Sequence, residues 1–219
     1  MTSAAAPVDD HEAPSTLGTM AAVAPFEIAS APDEQRMLLH DVSWEKYVQL
    51  RDLLDEAGLR MTYREGVLEL MSPSTPHEMW KTNIARFVEH FAFVRDIDLY
   101  AYGSTTFRAE TVARGAEPDE CYLVDHDLTD VPDIVLEIIL TSPLLDKLDV
   151  YAGLRVPEVW LFRNGAFTIQ VLDEATGRYR TVERSPRIPE IDLDVVARYA
   201  IRRDTPQALR ECDALLRGG

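Results

Sequence analysis

The run from Val131 to Leu140, "VPDIVLEIIL", constrains this chain more than any other segment. It is apolar on successive residues instead of alternate ones, and it is far too short to span a membrane. Such a run suits a central strand covered on both faces, so the chain reads as an α/β (α+β) protein. Past Asp133 the run continues as "IVLEIIL", and inside that apolar part stands one acid, Glu137. Taking an isolated carboxylate out of water costs about several kcal/mol even after relaxation, so Glu137 must have a cation, a set of donors or a proton.

The neighbouring segments supply the rest of the fold. Ser142 and Pro143 read as the start of a helix that runs to about Ala152 and ends at Gly153, and "PEVWLF" then reads as a strand. Asn164-Gly165 is a strong hairpin signal leading into "AFTIQVL", with "GRYRTVE" pairing beside it. Upstream, "SWEKYVQLRDLLDEA" reads as a helix capped by Ser43 and stopped by Gly58, followed by a hairpin around Glu65-Gly66. "STPHEMWKTNIARFVEHFAFV" reads as a long helix with Thr75 as N-cap and Pro76 next. Its apolar face carries Trp80, Ile84, Phe87 and Phe91, with His77 in the first turn on or beside that face. Extended runs are expected around 98–107, 118–125 and 131–140, and "TPQALRECDALLR" reads as a closing helix.

Residues 1–34, rich in Ala, Pro, Ser and Asp, show no sustained period and read as a loosely ordered arm. Residues 35–219 then form one domain, a size that allows a substantial core. No signal peptide or membrane span is visible, so a cytoplasmic protein is expected. Cys121 and Cys212 match no metal or redox spacing and read as reduced bystanders. The formal charge of −16 argues against binding nucleic acid by bulk electrostatics.

Two Pro-Asp pairs precede Glu137, and geometry separates them. Asp133 would share the strand of Glu137 at a distance of roughly 13 Å, too far to hold the same ion. Asp119 lies on the preceding strand, and if the two strands are neighbours, a cross-strand separation of about 5 Å lets Asp119 and Glu137 meet around one metal. Two carboxylates with a carbonyl and waters make a normal hard-cation site, Mg²⁺ in particular. Lys147, ten residues past Glu137, borders the Leu144, Leu148 and Tyr151 stripe, so its ammonium can reach back to the acids. Each of these residues alone has a plain reading: a buried ion pair for Glu137, a strand-start residue for Asp119, a solvated helix residue for Lys147. Glu158 reads as structural, and His11, His40, His90 and His126 show no ligand spacing.

Taken together, these residues resemble a known family. A "PD", eighteen residues later the Glu of "LEI", then a lysine, is similar to the PD-(D/E)XK nuclease superfamily. The longer stretches "EGVLELMSPSTPHE", "EPDECYLVD" and "DKLDVYAGLRVPEVW" resemble its Uma-type restriction-endonuclease branch over roughly residues 42–200. The resemblance implies a restriction-endonuclease-like mixed sheet flanked by helices, here with an N-terminal helix and hairpin extension. It implies a metal-dependent endonuclease acting on DNA, with Asp119 and Glu137 holding Mg²⁺ or Mn²⁺ and Lys147 positioning the attacking water. His77 is a candidate for a catalytic or orienting part and Glu69 for an outer metal ligand, each beside an ordinary structural reading. A homodimer would suit the cutting of two strands. The usual pattern has its lysine two residues after the acid; that position is Ile139 here, so the role passes to Lys147. The alternative is a non-catalytic module of the same fold that binds nucleic acid or protein.

Overall fold

The computed structural model describes residues 34–126 and 130–218. The arm expected over 1–34 therefore lies outside the described residues, apart from Glu34. Among the described residues the first elements are strand β1 (Gln35–Leu39) and helix α1 (Trp44–Leu53), whose N-cap Ser43 accepts from the Lys46 amide, and a 3₁₀ turn then runs to Gly58 in the left-handed region. Strands β2 (Arg60–Arg64) and β3 (Val67–Ser72) form the expected hairpin, Glu65 and Gly66 both taking positive φ as a type I′ turn requires. Helix α2 (Thr75–Val94) follows. Its cap is Ser74, not Thr75 as expected: the Ser74 hydroxyl accepts from the His77 amide at 3.3 Å, which makes Thr75 the first helical residue.

The extended run expected over 98–107 is two strands in different sheets, β4 (Leu99–Ala101) and β5 (Phe107–Ala109). Gly103, at φ 62°, and the Thr105 hydroxyl, donating to the Tyr102 carbonyl at 2.7 Å, turn the chain between them. After β6 (Arg114–Ala116) come β7 (Glu120–Val124) and β8 (Ile134–Ile139), the latter being the apolar run. Helix α3 spans Lys147–Gly153 and does not open at Ser142-Pro143. The reason is local: the Leu144 and Leu145 amides donate to the Glu69 carboxylate, and Asp146 caps the helix by accepting from Leu148 and Asp149. Strands β9 (Glu158–Arg163), β10 (Ala166–Asp173) and β11 (Arg178–Val182) and helices α4 (Leu193–Ala200) and α5 (Thr205–Gly218) complete the chain.

Among the described residues the strands form two sheets. One has five strands in the order β1-β3-β2-β6-β5, and the other six in the order β11-β10-β9-β8-β7-β4. The second is mixed: β8 runs antiparallel to β7 and parallel to β9, with α3 as the crossover. Strand periodicity then divides its two faces. Ile134, Leu136 and Ile138 pack with Trp160 and Phe162 against α2, α4 and α5. Val135, Cys121 and Val159 pack on the opposite face with Val150 and Tyr151 of α3 and with Leu154, its C-cap. Against the five-stranded sheet, Tyr47 of α1 stacks on Tyr63 of β2, ring centroids 4.7 Å apart, and Gly115 of β6 abuts the Tyr47 ring. No helix among the described residues is long and apolar enough to cross a membrane.

Both cysteines are buried and unpaired with each other. Burial, helped by the neighbouring Glu120 charge, pushes the Cys121 thiol up to about 12, and burial also raises Cys212. Against a free thiol near 8.5, the reactive thiolate of Cys121 is depleted roughly a thousandfold. Neither cysteine is expected to take up iodoacetamide in the native protein at pH 8, and both should label in denaturant; mass spectrometry reads the difference.

Candidate active site

The pairing of β7 with β8 sets Glu120 across from Leu136, so one step further along the ladder Asp119 stands opposite Glu137. Directly opposite residues of an antiparallel pair share a face, and here it is the face covered by α3. Both acids are buried, Asp119 at 0% and Glu137 at 2% relative exposure. Asp119 Oδ2 accepts from the Ile138 amide at 2.7 Å, which ties it to the strand that carries Glu137. Its Oδ1 lies 2.9 Å from His77 Nε2.

Lys147 is the first residue of α3, and its Nζ donates to Glu137 Oε2 at 2.6 Å. Tyr151, one helical turn on, donates its hydroxyl to Glu137 Oε1. The other acids beside them, Asp146 and Asp149, are turned to different work: Asp146 caps the helix and Asp149 pairs with Arg64 at 3.0 Å and Arg114 at 3.3 Å. The helix thus delivers a cation and a hydroxyl to one carboxylate.

His77 is fully buried, brought to Asp119 by the first turn of α2. Its second ring nitrogen, Nδ1, lies 3.0 Å from Glu34 Oε2. Glu34 Oε1 accepts from Arg36 Nη2 at 2.9 Å and from the Thr141 hydroxyl. Arg36 Nη1 donates to Glu69 Oε1 at 2.5 Å, and the other Glu69 oxygen accepts from the Leu144 and Leu145 amides at 2.9 and 2.7 Å. Glu69 therefore has its described partners in β1 and in the loop before α3, not in Asp119 or Glu137. Asp133 is engaged away from the pair, with the Val124 amide at 3.0 Å, His126 at 2.8 Å and Arg187 at 3.2 Å. Glu158 accepts from the Trp160 indole at 2.5 Å and from the Arg187 amide, as a structural acid does.

Electrostatics separate the two facing acids. Burial alone would raise Asp119, but the hydrogen bond and charge of His77, the Lys147 charge and the Ile138 amide outweigh it and hold the carboxyl below its ordinary value. Burial, with Asp119 adding to it, raises Glu137 despite Lys147 and Tyr151. His77 loses from burial but gains more from Asp119 and Glu34, and is lifted to about 9. At neutral pH it is therefore an imidazolium between two carboxylates. With it charged, four buried acids (Glu34, Glu69, Asp119, Glu137) face three cations (Arg36, His77, Lys147).

Among the described residues no group of three or more His, Cys, Asp or Glu side chains is arranged to hold a metal ion. The donor set that faces one side is the two carboxylates, which is the number Mg²⁺ uses when it keeps most of its waters. Glu34, Arg36, Thr141 and Tyr151 are the members of this cluster that the sequence reading did not single out for the site. Tyr151 had a usable signal, since it follows Lys147 at helical spacing on the stripe that turns inward. Glu34 had none.

A mixed sheet flanked by helices, with an Asp at the start of one inner strand facing a Glu on its neighbour and a lysine on the next helix, defines a restriction-endonuclease-like protein. A family model matches residues 44–202: Uma2, described as putative restriction endonuclease. The chain belongs to this family. No curated protein matches the chain.

Proposed function

We propose that the protein is a divalent-metal-dependent endonuclease that hydrolyses phosphodiester bonds in DNA. The observation that carries this reading is the disposition of Asp119 opposite Glu137, with the Lys147 ammonium 2.6 Å from Glu137. Asp119 and Glu137 would hold Mg²⁺ or Mn²⁺. Such an ion, when bound, supplies Lewis acidity toward the phosphate and acidifies water. The protein's own groups do the rest. Lys147 orients the attacking water or steadies charge developing on the phosphate oxygens. His77 fixes the rotamer of Asp119 through Nε2 and keeps its charge. Glu69, engaged with Arg36 and two loop amides, takes a holding part in place of the outer-ligand part expected for it. Cutting both strands calls for two such sites, which a homodimer would provide.

A second reading, a non-catalytic binding module, is favoured by one observation: each oxygen of Asp119 and Glu137 already has a protein partner. One experiment divides the two. Supercoiled plasmid incubated with the purified protein and Mn²⁺ or Mg²⁺ is expected to be nicked, with nicking abolished by chelation and by Asp119→Ala. Nicking that survives in Asp119→Ala sinks the assignment, and DNA binding without nicking by wild type supports the module.

A further inference from the structure

In this chain the lysine is not two residues beyond the acid on the same strand. Its position depends on the loop of residues 140–146, which leads from Glu137's strand to Lys147's helix. That loop has no regular structure; Arg163 donates to the exposed Ser142 hydroxyl at 2.9 Å, and two buried acids hold the loop at three further points. The Thr141 hydroxyl bonds Glu34, and the Leu144 and Leu145 amides bond Glu69. Arg36 joins the two acids: Nη2 donates to Glu34 at 2.9 Å, Nη1 to Glu69 at 2.5 Å, and Nε to Thr141 at 2.9 Å. The arrangement is buried, with the Arg36 side chain 8% exposed and the acids 0% and 1%.

Glu34 also reaches the other half of the site. Its second oxygen takes His77 Nδ1, and His77 Nε2 takes Asp119. One guanidinium between two carboxylates therefore touches the loop that leads to Lys147 at Thr141 and, through Glu34, is linked to the imidazole that holds Asp119. A planar fork with several fixed donors can bridge two acids in this way, whereas a lysine offers a single point charge. Both Glu34 and Arg36 precede residue 44, where the family match begins.

We infer that Glu34 and Arg36 are positioning residues of this site: Arg36 locks Glu34 to Glu69, and the lock sets Lys147 and His77 against the two facing acids. Its catalytic part rests on the nuclease reading, while its structural part can be measured without it. The experiment uses the full chain with Glu34→Gln, Arg36→Met and Arg36→Lys. Plasmid nicking with Mn²⁺ is followed as kcat and KM, and native hydrogen exchange is followed across residues 140–147.

Displacements of about 1 Å at a reacting group can cost on the order of a hundredfold in rate, so Glu34→Gln and Arg36→Met are expected to lower kcat by about ten- to a hundredfold with KM changed by less than about twofold. The Leu144 and Leu145 amides should exchange at least about tenfold faster while β8 and α2 keep their protection. Arg36→Lys should recover part of kcat, because it restores the charge but bridges one acid at a time. Wild-type kcat together with wild-type exchange in both neutral variants overturns the inference. So does faster exchange throughout β8 and α2, which would make the residues merely structural. If wild type itself fails to nick DNA, the nuclease reading falls, and the exchange arm alone decides: protection lost only at 140–147 sustains the lock, and unchanged protection overturns it.

Discussion

Lys147→Ala should reduce plasmid nicking by about 10²- to 10³-fold, the loss seen when one preorganised charge-stabilising group is removed from a site. The variant should still fold. Glu137 loses its cation, but burial already pushes that carboxyl upward, and it can take up a proton while Tyr151 continues to donate to it. The destabilisation should therefore stay at about 3 kcal/mol, the lower end for a broken buried pair, which circular dichroism and thermal melting will report. Lys147→Arg should rescue poorly, since the guanidinium is planar and larger and cannot set a compact charge beside a small hydrated ion. Metal affinity should change modestly or rise in Lys147→Ala, because a cation near the site opposes a second one. Calorimetry showing Mn²⁺ binding lost in Lys147→Ala but kept in Asp119→Ala would reverse the assigned roles of the two residues.

Gly115→Ala should be the most damaging single methyl in the five-stranded sheet. A Cβ built there would sit 2.7 Å from Tyr47 Cζ and 2.8 Å from Cε1, with the hydroxyl closer still. The ring cannot swing aside easily, because Tyr47 is fully buried and stacked on Tyr63. Overpacking of this kind costs about 1–3 kcal/mol or more. For a chain of this size that lowers Tm by roughly 3–10 °C. Tyr47→Phe provides the control. Among the described residues the buried Tyr47 hydroxyl has no hydrogen-bond partner, so removing it should leave Tm unchanged or raise it and should soften the effect of Gly115→Ala. Equal losses for Gly115→Ala in both backgrounds would mean that the clash is not with the hydroxyl.

Much of the sheet was legible because its signals are local. The apolar run, the Glu65-Gly66 and Asn164-Gly165 turns and the stripe of α2 each fix an element from a few adjacent residues. The facing of Asp119 and Glu137 follows from strand geometry wherever the two strands are neighbours, as β7 and β8 are. What the sequence hid depends on distant partners. Ser142-Pro143 carries a helix-start signal, yet Glu69 from β3 takes the amides that would begin that helix and delays it to Lys147. Glu34 sits in a stretch without periodicity, and its value to the site comes from His77 and Thr141, which lie 43 and 107 residues away. Helix α4 is short, and β6 has only three residues, so neither produces a period long enough to read.

Strand β1 also governs how the protein can be shortened. It pairs along its whole length with β3, from Gln35 opposite Ser72 to Leu39 opposite Leu68. A fragment cut at the limits of the family match would lose β1 and turn "VLELMS" into an open, apolar sheet margin. It would also lose α5, which contributes Ala208, Cys212 and Leu216 to the larger core. Uncovered strands of this kind recruit other chains, so such a fragment should self-associate into insoluble material, whereas one starting at Glu34 and ending at Gly218 keeps β3 paired and α5 on the core.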